Sequence, residues 1–386
     1  MIYFDNSATT KPRESVVKYV LENAVKTYGN PSSLHSFGFE AEKKIEQTRA
    51  IISRKMNCDT KQIYFTSGGT MGNNICLMGA YLKKSKMGLN HLISTNVEHS
   101  SINSINRAIA KKNGEIDLIR CNINGENTLD SIIEKINDKT GCISIMHVNN
   151  EVGTIFDIEK IVKGIRNINS KIHIHVDGVQ AFGKIDVDLK KLDVDSYTIS
   201  GHKINAFKGI GAVYIKNINN ITPILFGSNQ ENGVFPGTEN VPGILSLGKA
   251  VEALCSDEIK HIEELKRYFI EKVKGNIDRI VINTPEKSAP HIVNISFIDT
   301  RAEVLLHYLE KDGIYVSTGA ACSSKKKKHS RVLEAYGIDE KSLESAIRFS
   351  FGYENTLDEI DIVVESLKKS VNEIRMIMMR WYIWKW

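Results

Sequence analysis

Asp195-Ser196-Tyr197-Thr198-Ile199, a run of strand character, is followed at once by the polar turn Ser200-Gly201-His202-Lys203. A second run of strand character, residues 172–176, ends in Asp177, and Gln180 follows three residues later. The carboxyl ends of parallel strands meet at one edge of a sheet, which is where open α/β sheets bind their ligands. The two runs therefore predict a ligand site that contains a carboxylate and a lysine.

Similar apolar runs alternate with helical patterns over the first two thirds of the chain. The predicted strands are residues 62–66, 91–95, 116–120, 142–147, 172–176, 195–199 and 211–215. This alternation predicts an α/β fold with a mostly parallel central sheet flanked by helices. From residue 257 an amphipathic helix begins, followed by strands near 279–283 and 291–297 and by helices near 301–312, 329–336, 340–346 and 357–380.

The chain length predicts two domains, because 386 residues exceed the comfortable size of one hydrophobic core. We expect a large domain over residues 15–256, which would carry the ligand site. Residues 1–14 and 257–386 are expected to form a smaller α+β domain.

The composition, with 41% hydrophobic and 25% charged residues, is typical of a soluble globular protein. A net charge of +5 is too small to indicate nucleic-acid binding. The chain has neither a membrane-spanning apolar run nor a signal-peptide pattern, so we expect a cytoplasmic protein with reduced thiols. All three tryptophans fall in the last six residues, which form either a packed last helix or a tail for a partner or membrane surface.

A lysine and an acid at neighbouring strand ends are the groups that pyridoxal phosphate chemistry requires. Lys203 would form a Schiff base with the aldehyde of the cofactor, and Asp177 would keep its pyridine nitrogen protonated. The segment from Phe65 to Thr70 ends a strand and opens a helix, where Gly69 lets backbone N–H groups approach an anion. A plain glycine turn is the alternative, and the absence of a following Lys-Ser/Thr excludes a P-loop.

Two histidine patterns allow more than one interpretation. His173-x-His175-x-Asp177 places three possible metal ligands on one strand face, but strand alternation alone explains this spacing, and we expect no metal site. His99, which follows a strand, could stack on a ring and move protons, or lie in a surface loop.

Two further segments carry possible chemistry. Cys322 lies among the small residues 317–324, directly before four lysines that favour its thiolate form, or it is an inert thiol of a solvated loop. Arg348 stands alone in an apolar run, where a buried guanidinium needs a carboxylate or phosphate partner. An amino-acid substrate would supply a carboxylate, and a structural ion pair is the alternative.

Taken together, these segments resemble the cysteine desulfurases of the NifS/IscS type, which are pyridoxal phosphate enzymes of fold type I. The resemblance rests on motifs that follow one another over nearly the whole chain. They are residues 3–10, 29–33, 65–70, 98–99, 147–153, 175–180, 200–203, 237–240, 317–324 and 347–350.

The resemblance implies a role for each matching residue. Lys203 corresponds to the Schiff-base lysine, Asp177 to the partner of the pyridinium nitrogen, and His99 to the histidine that stacks on the ring and relays protons. Cys322 corresponds to the nucleophile. Gln180 and Asn150 are expected to bond the ring hydroxyl region. The phosphate is expected to be bound by Gly69, Thr70, Ser200 and His202, and by Thr238 of the other subunit of a homodimer. Asn30 and Arg348 are expected to clamp the substrate carboxylate.

The family reaction converts L-cysteine to L-alanine and leaves the sulfur as a persulfide, here on Cys322. The implied partners are a second copy of the chain and a protein that accepts sulfur, either an iron–sulfur scaffold or a tRNA thiolation enzyme. No direct contact with nucleic acid or with a membrane is expected.

The resemblance is incomplete at residues 227–236, where two arginines that the family often carries are missing. Residues 70–74 also depart from the usual family sequence. Two alternatives therefore stay open: a related lyase or aminotransferase that does not use Cys322, and a catalytically degenerate dimer that serves as a scaffold.

Overall fold

The computed structural model describes residues 1–318 and 329–384. The strands are β1 (Ile2–Tyr3), β2 (Ile63–Thr66), β3 (His91–Thr95), β4 (Glu115–Ile119), β5 (Thr140–Met146), β6 (His173–Asp177), β7 (Ser196–Ser200), β8 (Gly211–Ile215), β9 (Ile280–Ile282), β10 (Ile292–Phe297), β11 (Ile314–Tyr315) and β12 (Ala346–Ser350). The α-helices are α1 (Glu14–Ala24), α2 (Ser36–Lys55), α3 (Gly69–Asn73), α4 (Gly79–Ser85), α5 (Ser100–Ala110), α6 (Thr128–Ile133), α7 (Ile158–Ile168), α8 (Leu189–Leu192), α9 (Val241–Glu252), α10 (Ser256–Asn276), α11 (Ala302–Lys311), α12 (Arg331–Ala335), α13 (Glu340–Glu344) and α14 (Leu357–Trp384).

The central sheet has the strand order β2-β8-β7-β6-β5-β3-β4. Strand β8 is antiparallel to both of its neighbours, and the other strand pairs are parallel. Every residue of β5, β6 and β7 is buried, because helices cover both faces of a parallel sheet. The sequence prediction of a mostly parallel sheet flanked by helices is confirmed.

The C-terminal third forms a second, antiparallel sheet with the order β12-β10-β9. Phenylalanine rings cluster within its hydrophobic core: the ring of Phe4 lies 5.0 Å from that of Phe351, and the ring of Phe269 lies 4.7 Å from that of Phe349. Phe4 reaches this core from the start of the chain, where β1 pairs in parallel with β11. A hydrophobic core separate from that of the central sheet supports the expected two-domain division, which stays a prediction.

Most predicted elements lie within one or two residues of the observed ones, although α14 continues four residues beyond its predicted end at 380 and two short strands were not predicted. Strands β1 and β11 have two residues each, too short for a periodic pattern. The helix predicted over residues 340–346 ends at Glu344, and β12 begins at Ala346. Among the described residues, no helix is long and apolar enough to cross a membrane.

Candidate active site

A cavity of about 800 Å³, called the strand-end cavity below, opens at the carboxyl ends of β6 and β7. It brings together residues that are far apart in the sequence. The candidate residues that line it are Gly69, Thr70, His99, Asn150, Asp177, Gln180, Ser200, His202, Lys203 and Arg348.

Asp177 is the last residue of β6, and hydrogen bonds hold both of its carboxylate oxygens. Its Oδ1 accepts from the backbone N–H of Val179 at 3.0 Å, and its Oδ2 accepts from Nδ2 of Asn73 at 2.8 Å. The Oδ1 of Asn73 lies 3.1 Å from Nε2 of His175, and burial lowers the pKa of this histidine to about 3. A neutral His175 therefore orients Asn73, which in turn orients Asp177.

The two histidines of β6 both contact the hydroxyl of Ser196 on the neighbouring strand β7. This hydroxyl lies 2.9 Å from Nε2 of His173 and 2.9 Å from Nδ1 of His175. Within the described part of the chain, no group of three imidazole, thiol or carboxylate side chains is placed to hold a metal ion.

Lys203 ends the short 3-10 turn that follows β7. Its Nζ donates to the carbonyl oxygens of Ser7 at 2.5 Å and Ala8 at 2.7 Å. The same N-terminal segment is tied to this turn by the backbone N–H of Thr10, which donates to the His202 carbonyl at 2.8 Å. The lysine turn and residues 7–10 therefore form one wall of the strand-end cavity.

His202 contacts this segment through Nδ1, which lies 3.2 Å from the hydroxyl of Thr9. Burial, together with the positive charges of Lys203 and Lys208, lowers the pKa of His202 to about 4. The ring is therefore neutral at pH 7 and has one N–H with which to bind an anion.

His99 caps the N-terminus of α5, and its Nδ1 accepts from the backbone N–H of Ser101 at 3.2 Å. Burial lowers the pKa of His99, the charge of Asp177 opposes this, and the charge of Lys203 adds to it. The charges of Asp177 and Lys203, the two groups that the sequence singled out, therefore both act on the His99 ring. With Nδ1 as acceptor, the neutral ring carries its proton on Nε2.

Arg348 lies in the middle of β12 with its side chain almost fully buried. Its Nη2 donates to Oδ1 of Asp5 at 2.8 Å, and its Nη1 donates to the carbonyl of Asn150 at 2.9 Å. The Nε–H has no hydrogen-bond partner among the described residues.

Main-chain bonds to Ser317, 2.7 and 3.2 Å long, join Arg348 to the start of the segment that carries Cys322. Cys322 itself and the lysines at 325–328 lie outside the described residues.

Two buried acids beside the cavity gave no signal in their local sequence. Burial raises the pKa of Glu98 to about 8 and that of Glu151 to about 7. Ser330 donates a hydrogen bond to Glu151, and Arg331 donates to the carbonyl oxygens of Asn96 at 2.6 Å and Glu98 at 2.5 Å. The start of α12 is thereby fixed to the cavity wall. The pair Glu98-His99 was noticed in the sequence, but its neighbours do not indicate that the Glu98 carboxyl is buried, where it accepts from the backbone N–H of Met146, 48 positions away.

The wall made by Gly68, Gly69 and Ser200 is closely packed. Gly68 has a φ of 143°, which strongly favours glycine, and a Cβ on Gly69 would lie 2.8 Å from Cγ2 of Val179. Helix α3 starts at Gly69, so its free backbone N–H groups face this end of the cavity. The hydroxyls of Thr70 and Ser200 line the same end.

Two predicted residues do not line the strand-end cavity. Asn30 lies in the exposed connection between α1 and α2, where its Oδ1 accepts from the backbone N–H of Ser32 at 3.0 Å. Thr238 is exposed in the loop before α9. Their roles stay predictions.

The chain matches known proteins over almost its entire length. The family model described as aminotransferase class-V matches residues 2–363. A protein named cysteine desulfurase IscS from Clostridium botulinum is 34% identical and covers 98% of this chain and 96% of its own. The cysteine desulfurase IscS from Dictyoglomus turgidum is 35% identical and covers 100% of this chain and 98% of its own.

Solved structures agree with these sequence matches. A structure described as a NifS-like protein superposes with a TM-score of 0.90 at 32% identity, over 96% of this chain and 99% of its own. A structure described as SspA in complex with cysteine has a TM-score of 0.81 at 26% identity, over 92% of this chain and 100% of its own. The chain therefore belongs to the class V aminotransferases and, within them, to the cysteine desulfurases of the IscS and NifS type, which are pyridoxal phosphate enzymes.

Proposed function

We propose that the protein is a pyridoxal phosphate-dependent cysteine desulfurase, which moves the sulfur of L-cysteine onto Cys322 and releases L-alanine. One observation carries the proposal. A lysine, a carboxylate and a buried arginine line one cavity, and the chain enters and leaves the Cys322 segment at the wall of that cavity.

The described residues fit the cofactor. Oδ1 of Asn150 is buried and has no hydrogen-bond partner among the described residues, although Asn150 lines the cavity. Such an unsatisfied polar atom is costly and fits a site that a polar ligand completes. Asp177 would pair with the pyridine nitrogen and Lys203 with the aldehyde. The N-terminus of α3, Thr70, Ser200 and His202 offer donors for the phosphate.

The bound cofactor supplies an electron sink that stabilises negative charge on the α-carbon of an amino acid. Asp177 maintains that sink by keeping the ring nitrogen protonated, and its two hydrogen bonds hold the carboxylate in place. Lys203 takes the α-proton at Nζ and can return it. His99, which is half-buried and whose pKa burial lowers, would stack on the ring as the resemblance implies.

Arg348 would bind the substrate carboxylate. Asp5 accepts from one N–H of Nη2, and the Asn150 carbonyl accepts from one N–H of Nη1. The buried Nε–H is a further donor with which a substrate carboxylate can pair. Asn30 would complete the clamp as the resemblance implies.

The Cys322 segment is anchored on both sides of the cavity. Ser317 lines the cavity and pairs with Arg348, while Arg331 and Val332 line it on the far side of the segment. Cys322 is five positions after Ser317 in the sequence, and a fully extended chain of this length spans at most roughly 17 Å. That reach covers a cavity of this size, which supports Cys322 as the sulfur acceptor.

We also propose the finer features implied by the resemblance. The protein would act as a cytoplasmic homodimer in which Thr238 of one subunit reaches the phosphate site of the other. The persulfide would pass to a protein acceptor, either an iron–sulfur scaffold or a tRNA thiolation enzyme. The exposed position of Thr238 agrees with a role across a subunit interface.

The proposal is tested by mixing the purified protein with L-cysteine and following the cofactor absorption, alanine and sulfide. We expect cysteine to change the absorption and, with a reductant, to yield equal amounts of alanine and sulfide. Mass spectrometry is expected to find one additional sulfur atom on Cys322. The variant Cys322→Ala should lose sulfide release, whereas Cys255→Ser, which removes an exposed cysteine, should retain it.

Each alternative predicts another outcome. If Cys322→Ala turns over cysteine at the wild-type rate, the protein is a related lyase. If the protein lacks the cofactor band, or cysteine does not change it, the protein is a degenerate scaffold and the proposal is wrong.

A further inference from the structure

The amide of Gln180 is held at both of its polar atoms. Its Nε2 donates to the carbonyl oxygen of Ser7 at 2.9 Å. A carbonyl can only accept, so the nitrogen of the amide must face Ser7 and the oxygen must face the other way. On that other side, Oε1 of Gln180 lies 3.2 Å from Nε2 of His291.

His291 is neutral and is the donor in this contact. It is 1% exposed, and its backbone carbonyl accepts from the N–H of Phe351 at 2.9 Å, which fixes the residue at the start of β10. Burial lowers its pKa far below the ordinary value, and the neighbouring cations lower it further. These cations are Lys184, Lys266, Arg348 and Lys203. A neutral imidazole has one N–H, and the oxygen of Gln180 requires it on Nε2.

The other ring nitrogen of His291, Nδ1, is buried and has no partner among the described residues. Leaving a buried polar atom unsatisfied costs free energy. The contact with Gln180 is therefore the one side-chain hydrogen bond that His291 makes among the described residues.

Gln180 lines the strand-end cavity, and its oxygen is engaged by His291. The second hydrogen of Nε2 remains to be donated into the cavity. Any ligand atom beside Gln180 must then be a hydrogen-bond acceptor, and a negatively charged oxygen is favoured most.

We propose that His291 is a positioning residue, which locks the Gln180 amide with its N–H toward the cavity, so that Gln180 donates to the phenolate oxygen of the bound cofactor. This inference rests on the proposed cofactor. It assigns a role to a residue that touches neither the cofactor nor the substrate.

The orientation has a measurable consequence. A donor to the phenolate stabilises its negative charge and weakens its hold on the neighbouring proton of the Lys203 Schiff base. Without the donor of His291, only the Ser7 carbonyl opposes a flip that turns the amide oxygen toward the phenolate. In the flipped fraction the Schiff base keeps its proton to higher pH. Besides Lys203, the charged and titratable residues that line this cavity are Glu98, His99, Arg107, Glu151, Asp177, His202, Lys208, Arg331 and Arg348.

The test is an absorbance titration of the holoenzyme against pH, without substrate. Gln180→Leu should raise the midpoint by about one pH unit, since a hydrogen bond to a charged group is lost. His291→Phe should raise it by a smaller amount in the same direction. His291→Gln, which keeps a donor, should restore the wild-type midpoint. In the double variant Gln180→Leu/His291→Phe, the second change should add nothing.

The outcomes separate this inference from the proposed function. The inference is wrong if the titration midpoint of His291→Phe equals that of the wild type. It is also wrong if His291→Phe raises the midpoint of the Gln180→Leu variant by as much as it raises that of the wild type. Absence of a cofactor band in the wild type overturns both ideas. Absence of sulfide release overturns the desulfurase proposal and leaves the titration result standing, because the titration needs no cysteine.

A second measurement serves if His291→Phe does not fold. In wild-type protein labelled with ¹⁵N-histidine, NMR should show His291 protonated on Nε2 alone between pH 6 and 8. Protonation on Nδ1, or on both nitrogens, overturns the inference.

Discussion

The guanidinium of Arg348, which lines the strand-end cavity, donates over 2.8 Å to the carboxylate of Asp5, a residue 343 positions away in the sequence. The bond fixes the plane of the guanidinium, and a fixed plane is what bidentate binding of a carboxylate requires.

We therefore expect Arg348→Lys to raise KM for L-cysteine and to lower kcat/KM roughly 10- to 100-fold, because a lysine cannot replace the planar donors. Asp5→Asn should raise KM by a smaller factor, since the acceptor atom is kept and the charge is lost. Steady-state kinetics measures both effects. Arg279→Lys, which changes a surface arginine paired with Asp299, is the matched control and should leave KM unchanged. An unchanged KM in Arg348→Lys would show that another group binds the substrate carboxylate.

Glu98 predicts a pH-dependent change in stability. Burial raises its pKa from 4.5 to about 8, so the folded state binds this proton more tightly than the unfolded state does. Its contribution to stability is therefore greatest below pH 4.5 and is lost as the pH rises toward 8. Glu98→Gln removes the titration and keeps an oxygen that can accept the bonds now made by Thr95 and Met146.

The melting temperature of Glu98→Gln should accordingly rise relative to wild type between pH 5 and pH 8, and the difference should stop growing above pH 8. Thermal unfolding at several pH values measures it. Glu303→Gln changes an exposed carboxylate of α11, and its difference from wild type should be the same at all these pH values. A constant difference for Glu98→Gln would contradict the prediction.

Gly178 follows Asp177 directly, and a Cβ at this position would lie 1.8 Å from Cε1 of Tyr197. The fully buried Tyr197 ring cannot move aside, so Gly178→Ala should destabilise the protein by about 1–3 kcal/mol or more. Thermal unfolding is expected to show a lower melting temperature and a weaker hold on the cofactor. Gly275→Ala, in the exposed part of α10 with open space around it, should leave stability unchanged or raise it by about 0.5–1 kcal/mol. Equal melting temperatures for the two variants would disprove this packing argument.

Subunit complementation tests the proposed role of Thr238. Lys203→Ala and Thr238→Val dimers are each expected to have impaired sites. After their subunits are mixed and exchanged, one site of the mixed dimer combines an intact Lys203 with an intact Thr238 from the other subunit. Activity should then exceed the sum of the two parents. If Thr238 acts within its own subunit, mixing should give no gain.

The positions of Asp177 and Lys203 at strand ends could be predicted, because buried strands have a clear sequence pattern. Open α/β sheets also bind their ligands at the carboxyl ends of their strands. Glu98 shows the opposite case. Its neighbours in sequence do not indicate that its carboxyl is buried, and a donor to that carboxyl, the backbone N–H of Met146, lies on β5, 48 positions away. The sequence also provided no reason to select His291, because its hydrogen-bond partner Gln180 lies 111 positions away.

The pairing of β1 with β11 was missed for a similar reason. Two-residue strands are stabilised by the partners they meet and not by their own pattern. Asn30 and Thr238 could be named only by resemblance, because no single-chain feature of the fold places them beside the cavity.

Residues 5–10 connect the earliest and latest parts of the chain. They accept bonds from Lys203, contact His202, and bond Arg348 and Ser350 across more than 340 positions. During synthesis the first ten residues must therefore remain without their final partners until β12 has left the ribosome. The strand-end cavity can therefore close only once β12 is present, so a polypeptide that stops before β12 should be unable to retain the cofactor rather than be a partly active enzyme.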